Sequence, residues 1–436
     1  MKLRAFGISF MLFLFVLPIP GTIGLRHTLL LTLLTLMFLL WRNCQLGLWT
    51  KNWKIKGLIA WLMILTIWML VQALWISDET AWALKEISGQ WLPAMLSMVI
   101  GLGAVLIGRY IGLSRQKLLG VLVLVFLVQT VFSLAVSFPA FLASGAFPQG
   151  KALLTAGKLE ISYWNNLLLA FLAVDGLSRW LYKQSITSIP TSVLIGGIVV
   201  AFLSNLAFGA RNGMIGSLLL LSSLALLVLW HEREKIGITK ALSFVGSAFA
   251  LIGLLAWASY QLDPRWAAFE ETAQVAWQKT ASDAWLHPDD AILPNLKSGQ
   301  PVEASAYFRI AWIRVGLDVI VEYPYGVGYG RNAFGHALRK TMNTRLGHAH
   351  SGLIDWTIGT GSPGLLLWLG FLSWLAWVGI RRYFVQRDPA GLILFFVVGG
   401  FFGRMLLDSI NRDHMLMVFF LVLAILVSVP DEPVSE

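Results

Sequence analysis

Charge is scarce in this chain of 436 residues. Lys, Arg, Asp and Glu make up only 13% of it, about half the share of roughly 25% found in soluble domains. Cysteine is almost absent: Cys44 stands alone, so no disulfide forms within the chain, and cysteine usage says nothing of the redox compartment. No Walker loop, dinucleotide fingerprint or nucleophile elbow is present. The stretch GVGYG at 326–330 lacks the strand-then-helix setting of a nucleotide loop, so energy coupling through bound ATP has no support. The carboxylates Glu160, Asp263, Asp318, Glu322 and Asp355 form no glycosidase-like pair by spacing. There is no internal repeat and no low-complexity segment. Although Lys2 and Arg4 precede an apolar run, no small-x-small cleavage site follows, and the run reads as an uncleaved first helix.

What is abundant is apolar. Such residues fill 57% of the sequence, against roughly 45–50% in soluble domains, and many runs approach the ~20 residues that cross a bilayer. The 20 tryptophans suit the aromatic belts at the two bilayer interfaces. The net charge of +10 is spread between apolar runs, not gathered in one patch, which favours a membrane over nucleic acid. The sequence therefore predicts an all-α polytopic membrane protein of about 12 transmembrane helices. The expected spans are 5–24, 28–41, 57–76, 91–112, 117–140, 161–181, 191–209, 212–230, 240–258, 351–380, 390–407 and 414–430. With the N-terminus inside, seventeen Lys and Arg fall in one set of loops and seven in the other short loops. That bias places both termini in the cytoplasm.

Residues 259–350 then form the one long segment outside, between a nine-helix region (1–258) and a three-helix region (351–436). Trp266, Phe269, Trp277 and Trp285 recur at near-helical spacing, which predicts a helix lying at the bilayer surface. Residues 287–299 read as loop, 302–321 as helix with Ser305 as an early cap, and YPYGVGYG (323–330) as a tight turn.

Several residues carry chemistry by type and place. His350 sits where the polar segment meets a span, and an imidazole takes protons near neutral pH; a local hydrogen-bonding role is the plainer alternative. Small residues three apart on the next helix, Gly361 and Gly364, leave room for close packing. His348 and His350 form an H-x-H pair near His336 that in a strand faces one way, but no carboxylate or cysteine completes a metal set. Arg211, in GARNG between two apolar runs, is either a functional charge or an interface anchor. Arg309, Arg314 and Arg265 offer the planar guanidinium fork that suits phosphate. Lys85, Lys151 and Lys158 lie between spans and can touch phosphate or lipid head groups.

The order His350, Ser351, nine residues, Gly361, two residues, Gly364 resembles the signature of the O-antigen ligase and polymerase superfamily of membrane glycosyltransferases. The stretch from Arg309 through YPYGVGYGRNAF is also similar to the family's pattern. Tyr323 stands where a histidine is commoner, so no role is carried to it. The resemblance implies a GT-C-like architecture with a long periplasmic helical segment, in the bacterial inner membrane. It implies transfer of O-antigen from undecaprenyl diphosphate to lipid A–core oligosaccharide, with no cofactor and no metal. His350 is then the catalytic base, and Arg211, Arg265, Arg309 and Lys85 bind the diphosphate. The same motif serves O-antigen polymerases and protein O-oligosaccharyltransferases. A secondary transporter remains as a reading from another class, with charges near helix centres and paired broken helices as its marks.

Overall fold

In lipid each backbone donor must be satisfied within its own segment, so long apolar runs fold as helices. The computed structural model describes residues 2–41, 52–145, 157–236, 269–278, 283–289, 292–411 and 413–433, with single positions 239, 242, 243, 246, 247, 250, 253 and 257. The helices are α1 (Lys2–Val16), α2 (Ile23–Trp41), α3 (Trp53–Val71), α4 (Thr80–Glu86), α5 (Leu92–Tyr110), α6 (Arg115–Ser144), α7 (Lys158–Tyr182), α8 (Thr191–Ala207) and α9 (Arg211–Ile236). After them come α10 (Phe269–Trp277), α11 (Ala304–Glu322), α12 (Ala333–Leu338), α13 (Gly352–Phe384), α14 (Ala390–Leu407) and α15 (Asp413–Ser428). Among the described residues the only β pairing is an isolated bridge between Asn295 and Pro301.

Among the described residues seven stretches are long and apolar enough to cross a membrane: Ile23–Leu40, Trp53–Ile76, Thr80–Tyr110, Arg115–Ser144, Asn212–His231, Gly352–Phe384 and Ala390–Leu407. Helices α8 and α15 are apolar but shorter. Helix α1 has 15 residues, and α7 carries Lys158, Glu160, Asp175 and Arg179. The expected span 240–258 lies largely outside the described residues. Helix α15 is buried on all sides from Met415 to Val427, as its unbroken apolar sequence requires.

At one end of the bundle, basic residues are more than head-group anchors. Arg382 is 1% exposed. It donates to Asp388 Oδ2 at 2.7 Å and to the Leu426 carbonyl at 2.7 Å. Arg115 Nη1 reaches the same Asp388 oxygen at 2.7 Å, and Lys54 Nζ meets Asp431 at 2.6 Å. Buried charge demands such pairing.

The other end carries residues 269–350. These have a small core of their own, in which Trp285, Tyr307, Trp312, Phe334 and Leu338 pack with Ile354 and Ile358 of α13. Two local expectations are corrected here. The helix of 266–285 is shorter: α10 ends at Trp277, and Trp285 sits in a separate 3-10 turn, Asp283–Leu286, inside that core. Trp266 lies outside the described residues. Ser305 is inside α11 and does not cap it. Glu303 does, accepting from the Ala306 N–H at 2.6 Å.

Helix α13 is broken at Gly361, which has φ 73°. The break is filled by the YPYGVGYG turn. Pro363 has no N–H, so the Gly359 carbonyl loses its helical donor; Gly328 N–H supplies one at 3.1 Å. Val327 N–H reaches the Ile358 carbonyl at 2.9 Å, and Ser362 N–H reaches the Pro324 carbonyl at 2.8 Å. Trp68 Nε1 donates to the Thr360 carbonyl at 2.8 Å. A Cβ at Gly361 would lie 2.3 Å from the Tyr325 carbonyl carbon, and one at Gly364 would lie 2.8 Å from Trp68 Nε1. Gly361 thus admits the turn, and Gly364 leaves room for the Thr360 side chain and for Trp68 of α3, a neighbouring helix, as the spacing suggests. Gly361→Ala is expected to cost about 1–3 kcal/mol from the left-handed backbone alone, and more from the clash. A lower melting temperature with loss of activity is the outcome to look for; an unchanged melting temperature would show that the break tolerates a side chain.

Candidate functional site

The chain enters the site through the loop between α12 and α13. Gly335 N–H bonds the Gly347 carbonyl at 2.9 Å, which sets the start of that loop. Ala349 N–H donates to Asp355 Oδ1 at 2.8 Å, and the other Asp355 oxygen accepts from the Ser409 hydroxyl. Gly352 N–H bonds the Asp408 carbonyl at 3.1 Å, and the Ser351 hydroxyl faces the Met405 carbonyl at 3.4 Å. Between these ties His350 adopts φ 53°. A left-handed residue with a side chain costs about 1–2 kcal/mol, and here it is fixed by bonds on both sides. Asp355, buried in the first turn of α13, acts as the brace.

The imidazole of His350 stacks on Trp312, with ring centres 5.1 Å apart and planes at 16°. Trp312 is held in turn by its Nε1, which donates to the Trp285 carbonyl at 2.9 Å. Arg309 lies one turn earlier on α11, hence on the same face. His348 lies beside His350, its ring 4.1 Å away, and its Nδ1 accepts from the His350 N–H at 3.3 Å. Residues 343–349 are not a strand, so the alternation that would aim an H-x-H pair at one metal is missing. Among the described residues no group of three or more His, Cys, Asp or Glu gathers to hold a metal ion.

His350 opens onto a cavity of about 270 Å³ lined by five parts of the chain. Lys158 and Ser162 come from α7, Asn212 from α9, Arg309 from α11, and Arg404 and Asp408 from the end of α14. Three cationic side chains face one carboxylate. Asp408 organises them: it accepts from Asn212 Nδ2 at 2.5 Å, lies 3.4 Å from Arg404 Nη2 and 3.9 Å from Arg309 Nη2. Arg404 is 4% exposed. Its Nη2 also donates to the Ser162 hydroxyl at 2.8 Å, while its buried Nε and Nη1 meet no acceptor among the described residues. A buried guanidinium half satisfied by protein is costly unless an anion completes it.

The structure brings His350 and Arg309 together, and adds Lys158. Arg211 opens α9 between the cavity residues Ala210 and Asn212, and its side chain lies outside the described part. Arg265 and Lys151 lie outside the described residues. Lys85 is exposed on α4 and does not line this cavity. Arg314 pairs with Asp318 at 2.5 Å and covers Trp277. Arg404, Asp408, Asn212 and Ser162 are the residues that sequence reading missed. The usable signal was Arg404 inside an apolar helix with Asp408 four residues on, since a charge at such a place is a functional mark by default.

His336 lies apart from the cavity, stacked on Trp82 at 3.9 Å with planes at 4°. Trp82 belongs to α4, and Ser77 just before it donates to the Val327 carbonyl at 2.7 Å, so this clasp secures the turn that fills α13. Burial holds the His336 pKa below its ordinary 6.5, against the upward pull of Glu79 at 3.5 Å. A histidine whose folded pKa is depressed binds protons more weakly when folded. Stability is therefore constant above 6.5 and falls as pH drops from there toward the folded pKa. The melting temperature should decline more between pH 7.5 and 5.5 in wild type than in His336→Phe, which keeps the stack without a titrating nitrogen; parallel declines would contradict this.

Residues 196–369 match a family model described as O-antigen ligase. A search of curated proteins gave no match. The matched region holds Arg211, Arg309, His350, Gly361 and Gly364; Lys158 and Ser162 precede it, and Arg404 and Asp408 follow it.

Proposed function

We propose, from the match of residues 196–369 to a family model described as O-antigen ligase, that the chain transfers O-antigen polysaccharide from undecaprenyl diphosphate to lipid A–core oligosaccharide, at the periplasmic face of a bacterial inner membrane. The observation that carries this reading is Arg404, a buried guanidinium with two nitrogens left over, in the same cavity as His350 and Arg309. An amphipathic lipid diphosphate meets that demand: its tail stays in lipid and its phosphates reach the cations.

In this mechanism the diphosphate oxygens accept hydrogen bonds from Arg404 and Arg309, with Lys158 adding charge. The acceptor hydroxyl approaches the anomeric carbon from the side opposite the diphosphate. His350 takes the hydroxyl proton as the new C–O bond forms. The bond from the anomeric carbon to the diphosphate breaks, and its electrons leave on undecaprenyl diphosphate. Charge that develops there is stabilised by guanidinium groups already in place. The anomeric centre inverts, the cleaved bond supplies the energy, and no metal takes part.

Purified protein given donor and lipid A–core in EDTA should release undecaprenyl diphosphate and form a ligated product of inverted anomeric configuration. Turnover lost in EDTA and restored by a divalent ion would overturn the metal-free route. Growth of the glycan on the lipid diphosphate, with no ligated product, would identify a polymerase instead.

A further inference from the structure

We propose that a second cavity at this end of the bundle, lined by Arg26, His27, Arg331 and His414, binds a phosphoryl group of the acceptor glycolipid, apart from the donor diphosphate. The inference rests on the transfer reading above and assigns the acceptor a place within it.

The cavity has a volume of about 230 Å³ and draws its basic residues from three distant parts of the chain. Arg26 and His27 come from the first turn of α2, Arg331 follows the YPYGVGYG turn, and His414 opens α15. No Asp or Glu is among the lining residues, and the nearest carboxylates act from behind them: Glu160 beside His414, and Glu86, which accepts from the Arg331 N–H at 3.0 Å and from Gln90. Arg26 is 5% exposed, and its guanidinium donates to the Ile19 carbonyl, which fixes the charge in place. His414 is also buried; its Nε2 makes no hydrogen bond among the described residues and lies 3.6 Å from Glu160 Oε1. Two arginines and two histidines converging on one cavity are the footprint of an anion.

The other wall is apolar. Pro20, Ile23, Pro93 and Met417 share the lining, and Ile23 and Leu25 are exposed on α2, a helix long enough to span. The cavity therefore suits a ligand with acyl chains in the bilayer and a phosphate at its surface. A free phosphate has no use for such a wall.

Its position fits the second substrate. Gln90 and Arg331 also line a narrow cleft with Asp355, Ser409 and Asn411. Asp355 and Ser409 brace the His350 loop, and Asp408, one residue earlier, lines the His350 cavity. Residues of the turn between α14 and α15 thus line both the His350 cavity, through Asp408, and the cleft that shares Gln90 and Arg331 with the second cavity. A phosphorylated acceptor anchored at Arg331 lies at the cleft that ends on Asp355 and Ser409, the brace of the His350 loop.

The test measures binding of lipid A–core to the full-length protein in zwitterionic nanodiscs, with and without the glycolipid's phosphates. Wild type should prefer the phosphorylated form by about tenfold or more, the range of a charge-assisted contact. The double variant Arg331→Gln, His27→Gln changes two exposed side chains and should lose that preference, while binding of the undecaprenyl-diphosphate donor stays as in wild type. Equal binding of both acceptor forms by wild type would overturn the site, as would a double variant that keeps the preference or loses donor affinity instead. Displacement of the glycolipid by phosphatidylglycerol at matched concentration would make it a phospholipid site and overturn the acceptor assignment. Phosphate preference without any transfer would leave this site standing and sink the ligase reading; transfer without phosphate preference would do the reverse.

Discussion

His350→Ala is expected to abolish transfer while the protein still inserts and folds. General-base removal costs about 10²–10⁴ in rate. Folding should survive because the ties that shape the loop, from Ala349, Ser351 and Gly352, are made by neighbours and not by the imidazole. The stack on Trp312 is lost, but Trp312 keeps its bond to the Trp285 carbonyl. The loss should exceed that of His348→Ala, which touches His350 without serving the acceptor, and of His336→Ala, which only loosens the clasp on Trp82. Donor binding should persist, since the diphosphate is held by arginines. Transfer by the alanine variant within tenfold of wild type would remove His350 from the chemistry.

Arg404→Lys should lose activity almost as completely, although charge is kept. Lysine offers one nitrogen where the site uses three: Nη2 is committed to Ser162 and Asp408, and Nε and Nη1 remain for the ligand. Removal of one donor that stabilises developing charge costs about 10²–10³ in rate. Here two donors and their fork geometry go together. Since Arg404 is buried, a folding defect must be separated from a chemical one. Arg309→Lys does this, because Arg309 is 40% exposed and leans on Asp408 only at 3.9 Å. Arg309→Lys should fold normally and show a higher donor KM. Wild-type kinetics in both variants would leave the cavity without a role in diphosphate binding.

The helices and the motif were legible because their signals are local. An apolar run of bilayer length is read from consecutive residues, and His350, Ser351, Gly361 and Gly364 fall within fifteen positions. The turn at 323–330 was legible from its own glycines and proline. Its partner was not: it completes the hydrogen bonds that Pro363 and Gly361 break in α13, a match that only the fold makes. Arg404 and Asp408 escaped notice for the same reason. Their meaning depends on the ends of α7, α9, α11 and α14 meeting, more than two hundred residues apart in sequence at the widest. Lys85 was singled out for its place between spans, yet α4 leaves it exposed and away from the cavity. The aromatic spacing from Trp266 to Trp285 imitated one surface helix. In the structure Trp285 is buried beneath Trp312, because a small core inside the polar segment outweighs the periodicity.

The central claim is that His350 removes a proton. The pH–rate profile of transfer by purified wild type and His350→Gln, at saturating donor, tests it most directly. Glutamine keeps a hydrogen-bonding side chain of similar reach and cannot take the proton. Wild type should show an ascending limb as the imidazole loses its proton, and His350→Gln should be slower by about 10²–10⁴ with that limb gone. A glutamine variant that transfers near the wild-type rate, with the limb intact, would contradict the account.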